Sequence, residues 1–181
     1  MSEAPQRIVL VGLPGAGKTS VGRRARDLLA QAGGDWDFVD LDAEIERRSG
    51  RSIPEIFARQ GEAAFRKLER AVSLEWLERP NLILVPGGGW VELGELVEQF
   101  RVRSLFVFLQ VSPEVAAARL GHAGGDRPLL AGGNSEEKLR ALLARREYLY
   151  LQSQYTLSVD SLSVDEAASY IVALASGRDG N

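Results

Sequence analysis

Between the apolar run Ile8-Val9-Leu10-Val11 and a helix-compatible stretch from Ser20 to Ala32 lies Gly12-Leu13-Pro14-Gly15-Ala16-Gly17-Lys18-Thr19. This G-x-x-x-x-G-K-[ST] spacing leaves the backbone few options. A buried strand must enter, a glycine-rich turn must point its N–H groups inward, and a helix must leave. Inward N–H groups and the positive end of a helix together make an anion cradle. Lys18 is placed to reach the outer phosphates of a nucleotide, and the Thr19 hydroxyl to ligate Mg²⁺. A glycine-rich turn with a chance lysine would not need these flanks. The chain is therefore expected to bind a nucleoside triphosphate.

Beyond this loop, short β-like runs alternate with longer helical patterns, the arrangement of βαβ units on a parallel sheet. Strands are expected at Ile8–Val11, Asp37–Leu41, Leu82–Val85, Leu105–Leu109 and Thr156–Val159. Most are nearly continuous apolar runs, as strands covered on both faces should be. Helices are expected near Lys18–Ala32, Asp42–Ser49, Ile53–Gln60, Glu62–Glu78, Glu92–Phe100, Pro113–Leu120, Glu136–Gln152 and Val164–Ala175. Ser52-Ile53-Pro54-Glu55 and Ser163-Val164-Asp165-Glu166 have capping-box spacing. A chain of 181 residues without an internal repeat reads as a single domain, residues 1–181, with a frayed tail over 177–181.

Composition removes several classes. The formal net charge of −3, with both signs mixed along the chain, gives no support to nucleic-acid binding. Cysteine is absent, which excludes disulfides, thiolate metal sites and cysteine nucleophiles. His122 is the lone histidine, read as a solvated loop residue, so a His-rich metal site is excluded too. No apolar run is long enough for a membrane span, and the first residues lack the core of a signal peptide. A cytoplasmic monomer is the expectation.

Further patterns gather around the phosphate loop. Phe38-Val39-Asp40-Leu41-Asp42 puts two carboxylates at the end of the second expected strand, where open α/β sheets bind ligands. Alternation along an extended chain would aim Asp40 and Asp42 the same way. The alternative is that Asp42 caps the next helix. Pro86-Gly87-Gly88-Gly89 follows the third strand, and its glycines allow close backbone approach to a ligand, or simply a turn. No acid ends Leu82–Val85, leaving Asp40 as the metal partner for Thr19. Glu69 stands three positions after Arg66, within reach of its guanidinium. The glycine-rich segment 121–133, with Arg127 in its middle, reads as a mobile active-site lid.

Taken in order, GLPGAGKTS, FVDLD, IPEIF…GEAAFRKLE, PGGG, DRPLLAG and ARREYLY resemble the shikimate kinase family over nearly the whole chain. The resemblance implies a three-layer α/β/α fold around a five-stranded parallel sheet. This is a P-loop NTPase of the nucleoside monophosphate kinase type with an arginine-bearing lid. It implies that Gly12, Gly15, Ala16, Gly17, Lys18, Thr19 and Ser20 hold the ATP phosphates and magnesium. Asp40 would join the Mg²⁺ shell, while Asp42 would bond shikimate's hydroxyls, including the attacking one. Arg66 and Arg146 would grip the substrate carboxylate, and Gly87, Gly88 and Gly89 would line the substrate through backbone groups. Phe57 and Phe65 would form the apolar wall. Arg119 would lie near the adenine, and Arg127 would swing onto the transferring phosphate. The implied reaction is ATP plus shikimate giving ADP and 3-phosphoshikimate, in aromatic amino-acid biosynthesis.

Pro86 and Trp90 depart from the small or aliphatic residues usual in the family, and Trp90 is placed to reshape the substrate edge. The segment 31–37 is also slightly longer than is typical. Two other readings stand beside the first. One is a gluconate-type sugar-acid kinase of the same fold, since two arginines suit any small carboxylate. The other is a ligand-sensing module without catalysis, although no helix-turn-helix precedes the phosphate loop and both acids are retained.

Overall fold

In the computed structural model, residues 5–123 and 134–177 are described. The strands are β1 (Arg7–Val11), β2 (Asp37–Asp40), β3 (Leu82–Val85), β4 (Leu105–Gln110) and β5 (Tyr155–Ser158). The helices are α1 (Lys18–Gln31), α2 (Leu41–Ser49), α3 (Ile53–Leu77), α4 (Glu95–Arg101), α5 (Pro113–Ala123), α6 (Ser135–Tyr150) and α7 (Val164–Ala175). All strand pairs are parallel, in the order β2-β3-β1-β4-β5. β1 and β3 are buried along their whole length because helices cover both faces of the sheet, whereas the edge strand β5 alternates between half-buried and exposed residues. The α/β fold expected from the sequence is the fold observed.

This strand order creates the site. Right-handed crossovers send α1 away from β1 on one face, to pack beside α7, and α4 away from β3 on the other. A crevice therefore opens between the carboxyl ends of the neighbouring strands β1 and β3. The phosphate loop leaves β1 and the Pro86–Gly89 loop leaves β3, so the two glycine loops flank that crevice.

Local chemistry explains the boundaries. β2 stops at Asp40, one residue short of expectation, because the Asp40 side chain accepts from the Ala43 N–H at 3.2 Å and starts α2. Both expected capping boxes form, at Ser52/Glu55 on α3 and Ser163/Glu166 on α7. α3 runs continuously over the two expected helices but is kinked between them at Gly61, whose φ of 80° suits glycine. The expected helix Glu92–Phe100 is shorter. A 3₁₀ turn at Trp90–Glu92 comes first, and Gly94, at φ 41°, breaks the chain before α4. β5 lies one residue earlier than expected.

Trp90 does not edge a ligand pocket. It has no exposed surface, its indole Nε1 donates to Ser73 Oγ at 3.0 Å, and it packs edge-on against Phe100. A side chain of this size gains most by full burial once its N–H has a partner. α5 extends to Ala123, so 121–123 of the expected lid, His122 included, are helical. The remainder, with Arg127, lies outside the described residues, as do 178–181 of the tail. No described helix is long and apolar enough to cross a membrane.

The phosphate loop sits hard against its neighbours. A methyl group at Gly12, where φ is 146°, would lie 2.5 Å from the Leu109 carbonyl oxygen, and one at Gly15 would lie 2.7 Å from that of Ala116. Neither backbone oxygen can step aside as a side chain would. Gly12→Ala is therefore expected to lower stability by about 2 kcal/mol or more. Urea unfolding of the two proteins is the check, and an unchanged midpoint would contradict the close packing.

Candidate active site

α1 begins at Lys18 behind Gly17, whose φ of 82° turns the loop into the helix. Its first turn has no acidic residue and no side-chain cap, so the N–H groups at its positive end are left for an anion. The Lys18 ammonium lies across the loop, donating to the Gly12 and Leu13 carbonyls at 2.8 and 2.9 Å. The Thr19 hydroxyl donates to Asp40 Oδ2 at 2.6 Å. That contact joins the phosphate loop to the end of β2. A cavity of about 680 Å³ opens over this loop, lined by residues 14–21 together with Asp40, Asp42, Gly87, Gly88 and Arg119.

Asp42 and Asp40 share the cavity, but not by strand alternation. Asp42 stands in the first turn of α2, and the capping role weighed for it falls to Asp40. Opposite Asp42, the glycine loop lies so close at two positions that a side chain there would displace the facing group. A methyl group at Gly87 would meet Asp42 Oδ1 at 2.7 Å, and one at Gly89 would meet Arg66 Nη2 at 2.7 Å. At Gly88 it would lie 3.4 Å from Arg146 Nη1. Three consecutive glycines thus face an acid and two guanidinium groups contributed by α2, α6 and α3. Phe57 and Phe65 pack at 4.9 Å between ring centroids, with Phe65 buried and Phe57 36% exposed. Arg66, Arg146, Gly89 and this aromatic pair adjoin the cavity without lining it.

Three carboxylates hold the guanidinium groups. Glu69, only 1% exposed, accepts from Arg66 Nη1 at 2.7 Å, and Glu62 accepts from Arg66 Nη2 at 3.1 Å. Glu92 accepts from Arg146 Nε and Nη2 at 3.2 and 2.9 Å. Burial pushes the Glu92 carboxyl up, yet Arg146 and Arg145 outweigh it and hold it below the usual range. The Tyr150 hydroxyl donates to the Gly88 carbonyl at 3.2 Å, and burial pushes the phenol up to about 12, so it stays a donor. Sequence reasoning found Glu69 from its helical spacing. It missed Glu92 and Tyr150, whose partners lie far along the chain with no periodic signal. It also missed Glu46, which lines the cavity and accepts from the Ile53 N–H at 2.8 Å.

At the opposite end of the cavity, Arg119 Nη2 donates to the Val159 carbonyl at 2.6 Å, and Val159, Leu162 and Val164 add apolar lining. This part of the lining is apolar, with a guanidinium beside it. Arg127 lies outside the described residues.

Burial pushes the Glu69 carboxyl up to about 7, despite Arg66. Its Oε1 is buried with no hydrogen-bond partner among the described residues. Between the ordinary 4.5 of an unfolded chain and this value, the folded protein keeps a proton that the unfolded chain has lost. Stability therefore falls as pH rises across that window, by roughly 3 kcal/mol, and levels off above it. Urea unfolding across the window should show this fall, and Glu69→Gln should flatten it. Parallel curves for the two proteins would contradict the assignment.

Comparison with known proteins agrees with this geometry. The family model described as shikimate kinase matches residues 14–175. A shikimate kinase of Rhodococcus erythropolis is 42% identical over 81% of this chain and 83% of its own. One of Pelotomaculum thermopropionicum is 35% identical over 92% of this chain and 94% of its own. Among solved structures, the shikimate kinase of Acinetobacter baumannii in complex with shikimate superposes with a TM-score of 0.87 at 36% identity, covering 99% of this chain and 97% of that one. A gluconokinase of Sinorhizobium meliloti, at 19% identity and a TM-score of 0.63, shares the fold. The chain belongs to the shikimate kinase family.

Proposed function

We propose that this protein transfers the γ-phosphoryl group of ATP to the 3-hydroxyl of shikimate, giving ADP and 3-phosphoshikimate. The observation that carries the reading is the glycine run at residues 87–89, each position facing Asp42, Arg146 or Arg66 beside the phosphate loop. A compact ring bearing hydroxyls and one carboxylate suits such a floor. The forked donors of Arg66 and Arg146 take its carboxylate, and Asp42 accepts from a hydroxyl. The phosphate loop, Lys18 and the first turn of α1 hold the triphosphate, and the apolar lining beside Arg119 takes the adenine. Phe57 and Phe65 bound the ring on its apolar side.

Phosphoryl transfer through a loose transition state asks chiefly for alignment and charge neutralisation. The attacking oxygen forms its bond to Pγ as the bond from Pγ to the β,γ-bridging oxygen breaks. The hydroxyl proton passes to Asp42 or onward to solvent. Thr19 and Asp40 form an all-oxygen pair suited to a hard cation, and Mg²⁺ bound there would neutralise the β- and γ-phosphates. No group of three or more His, Asp or Glu side chains among the described residues offers a complete metal cage, so the nucleotide phosphates would complete the shell. Residues 1–181 would work as one domain in the cytoplasm, with Arg127 acting on the transferring group.

ADP release coupled to a reporter, with shikimate, quinate and gluconate as acceptors, tests the substrate. Shikimate should be preferred by more than about tenfold in kcat/KM. Preference for gluconate by that factor would overturn the proposal, and tight binding with no turnover would favour a sensing module.

For the chemistry, Lys18→Met should abolish turnover. Asp42→Asn should lower kcat by about 10²-fold or more, and near-normal kcat in that variant would remove Asp42 from catalysis.

A further inference from the structure

Arg146 and Arg145 are neighbours on α6 that converge on one acid. The Glu92 oxygens divide between them: Oε2 accepts from Arg146 Nε and Nη2, and Oε1 from Arg145 Nε at 2.9 Å and Nη2 at 2.7 Å. Arg146 is thereby fixed along one edge of its guanidinium plane. Nη1, its remaining nitrogen, is buried with no hydrogen-bond partner among the described residues. It lies on the side of Gly88 and Pro14, both of which line the cavity. Glu92 itself stands at the end of the 3₁₀ turn that follows the three glycines. The rigid loop that floors the cavity therefore also carries the acid that aims the guanidinium.

An acid beside Arg146 has a cost. On its own, Glu92 would cancel the positive charge that an incoming carboxylate needs. Arg145 supplies the remedy, because two guanidinium groups and one carboxylate leave one net positive charge. Its side chain is 68% exposed, against 5% for Arg146 and 24% for Glu92. It thus reaches Glu92 from the solvent side, away from the buried Nη1.

We infer that Glu92 is a positioning residue for Arg146, and that Arg145 sets substrate affinity without touching substrate, by offsetting the charge of Glu92. This rests on the reading of Arg146 as the carboxylate clamp. Neither residue is needed for nucleotide binding, so the effects fall on one substrate only.

Steady-state kinetics on the full chain test this, with Arg146→Lys as the reference variant. Glu92→Ala should raise the KM for shikimate about tenfold and leave that for ATP within about twofold. Arg145→Gln should raise the shikimate KM about threefold at low salt, and the effect should fade at high salt, as an exposed charge requires. In the Glu92→Ala background, Arg145→Gln should add less than about 1.5-fold, because the exposed Arg145, no longer held by Glu92, turns into solvent where its charge is screened. Independent, multiplying effects would overturn the inference, as would equal rises in both KM values. If Glu92→Ala does not fold, the exposed Arg145→Gln still decides: an unchanged shikimate KM at low salt overturns the charge offset. An unchanged shikimate KM in Arg146→Lys would instead overturn the clamp itself.

Discussion

Two backbone loops approach their neighbours more closely than side chains would allow, and the rest of the site depends on that approach. Across the crevice between β1 and β3, Gly12 and Gly15 press on the carbonyls of Leu109 and Ala116. Facing them, Gly87 and Gly89 press on Asp42 and Arg66, with Gly88 just within contact distance of Arg146. A Cβ at Gly12, Gly15, Gly87 or Gly89 would force a neighbouring group to move. Sheet order supplies the crevice, and the absence of side chains makes it narrow.

Closing the site this tightly buries charge, and buried charge needs partners. Arg66 is held by Glu69 and Glu62, and Arg146 by Glu92. The two acids respond differently to burial. Burial pushes the deeply buried Glu69 up to about 7 despite Arg66, whereas at the more open Glu92 burial is outweighed by the attraction of Arg146 and Arg145, which holds it below its ordinary range. Depth of burial separates them, since the Glu69 side chain is 1% exposed and that of Glu92 24%. One wall of the pocket is thus sensitive to pH near neutrality, while the other holds its charge.

Much of this was legible in the sequence because it is written in short-range patterns. The phosphate loop with its flanks, the capping boxes at Ser52 and Ser163, the Gly61 break and the Arg66–Glu69 spacing are all local, and all appear in the fold. Four particulars were not legible. The direction of Asp42 depended on where β2 ended, and the Asp40 cap moved that end by one residue. The short α4 followed from the backbone angle at Gly94, which composition does not encode. Glu92 meets Arg145 and Arg146 across more than fifty residues, a pairing that only tertiary packing reveals. Trp90 was read as pocket edge because it follows the glycines, yet the 3₁₀ turn rotates it into the core.

The buried indole has a further consequence. Trp90 donates to the Ser73 hydroxyl, which donates to the Glu69 carbonyl on the same turn of α3 that presents the Glu69 carboxylate to Arg66. Interior and mouth are therefore mechanically connected. A change of residue at 73 or 90, though hidden in the interior, would bear on the turn that anchors Arg66.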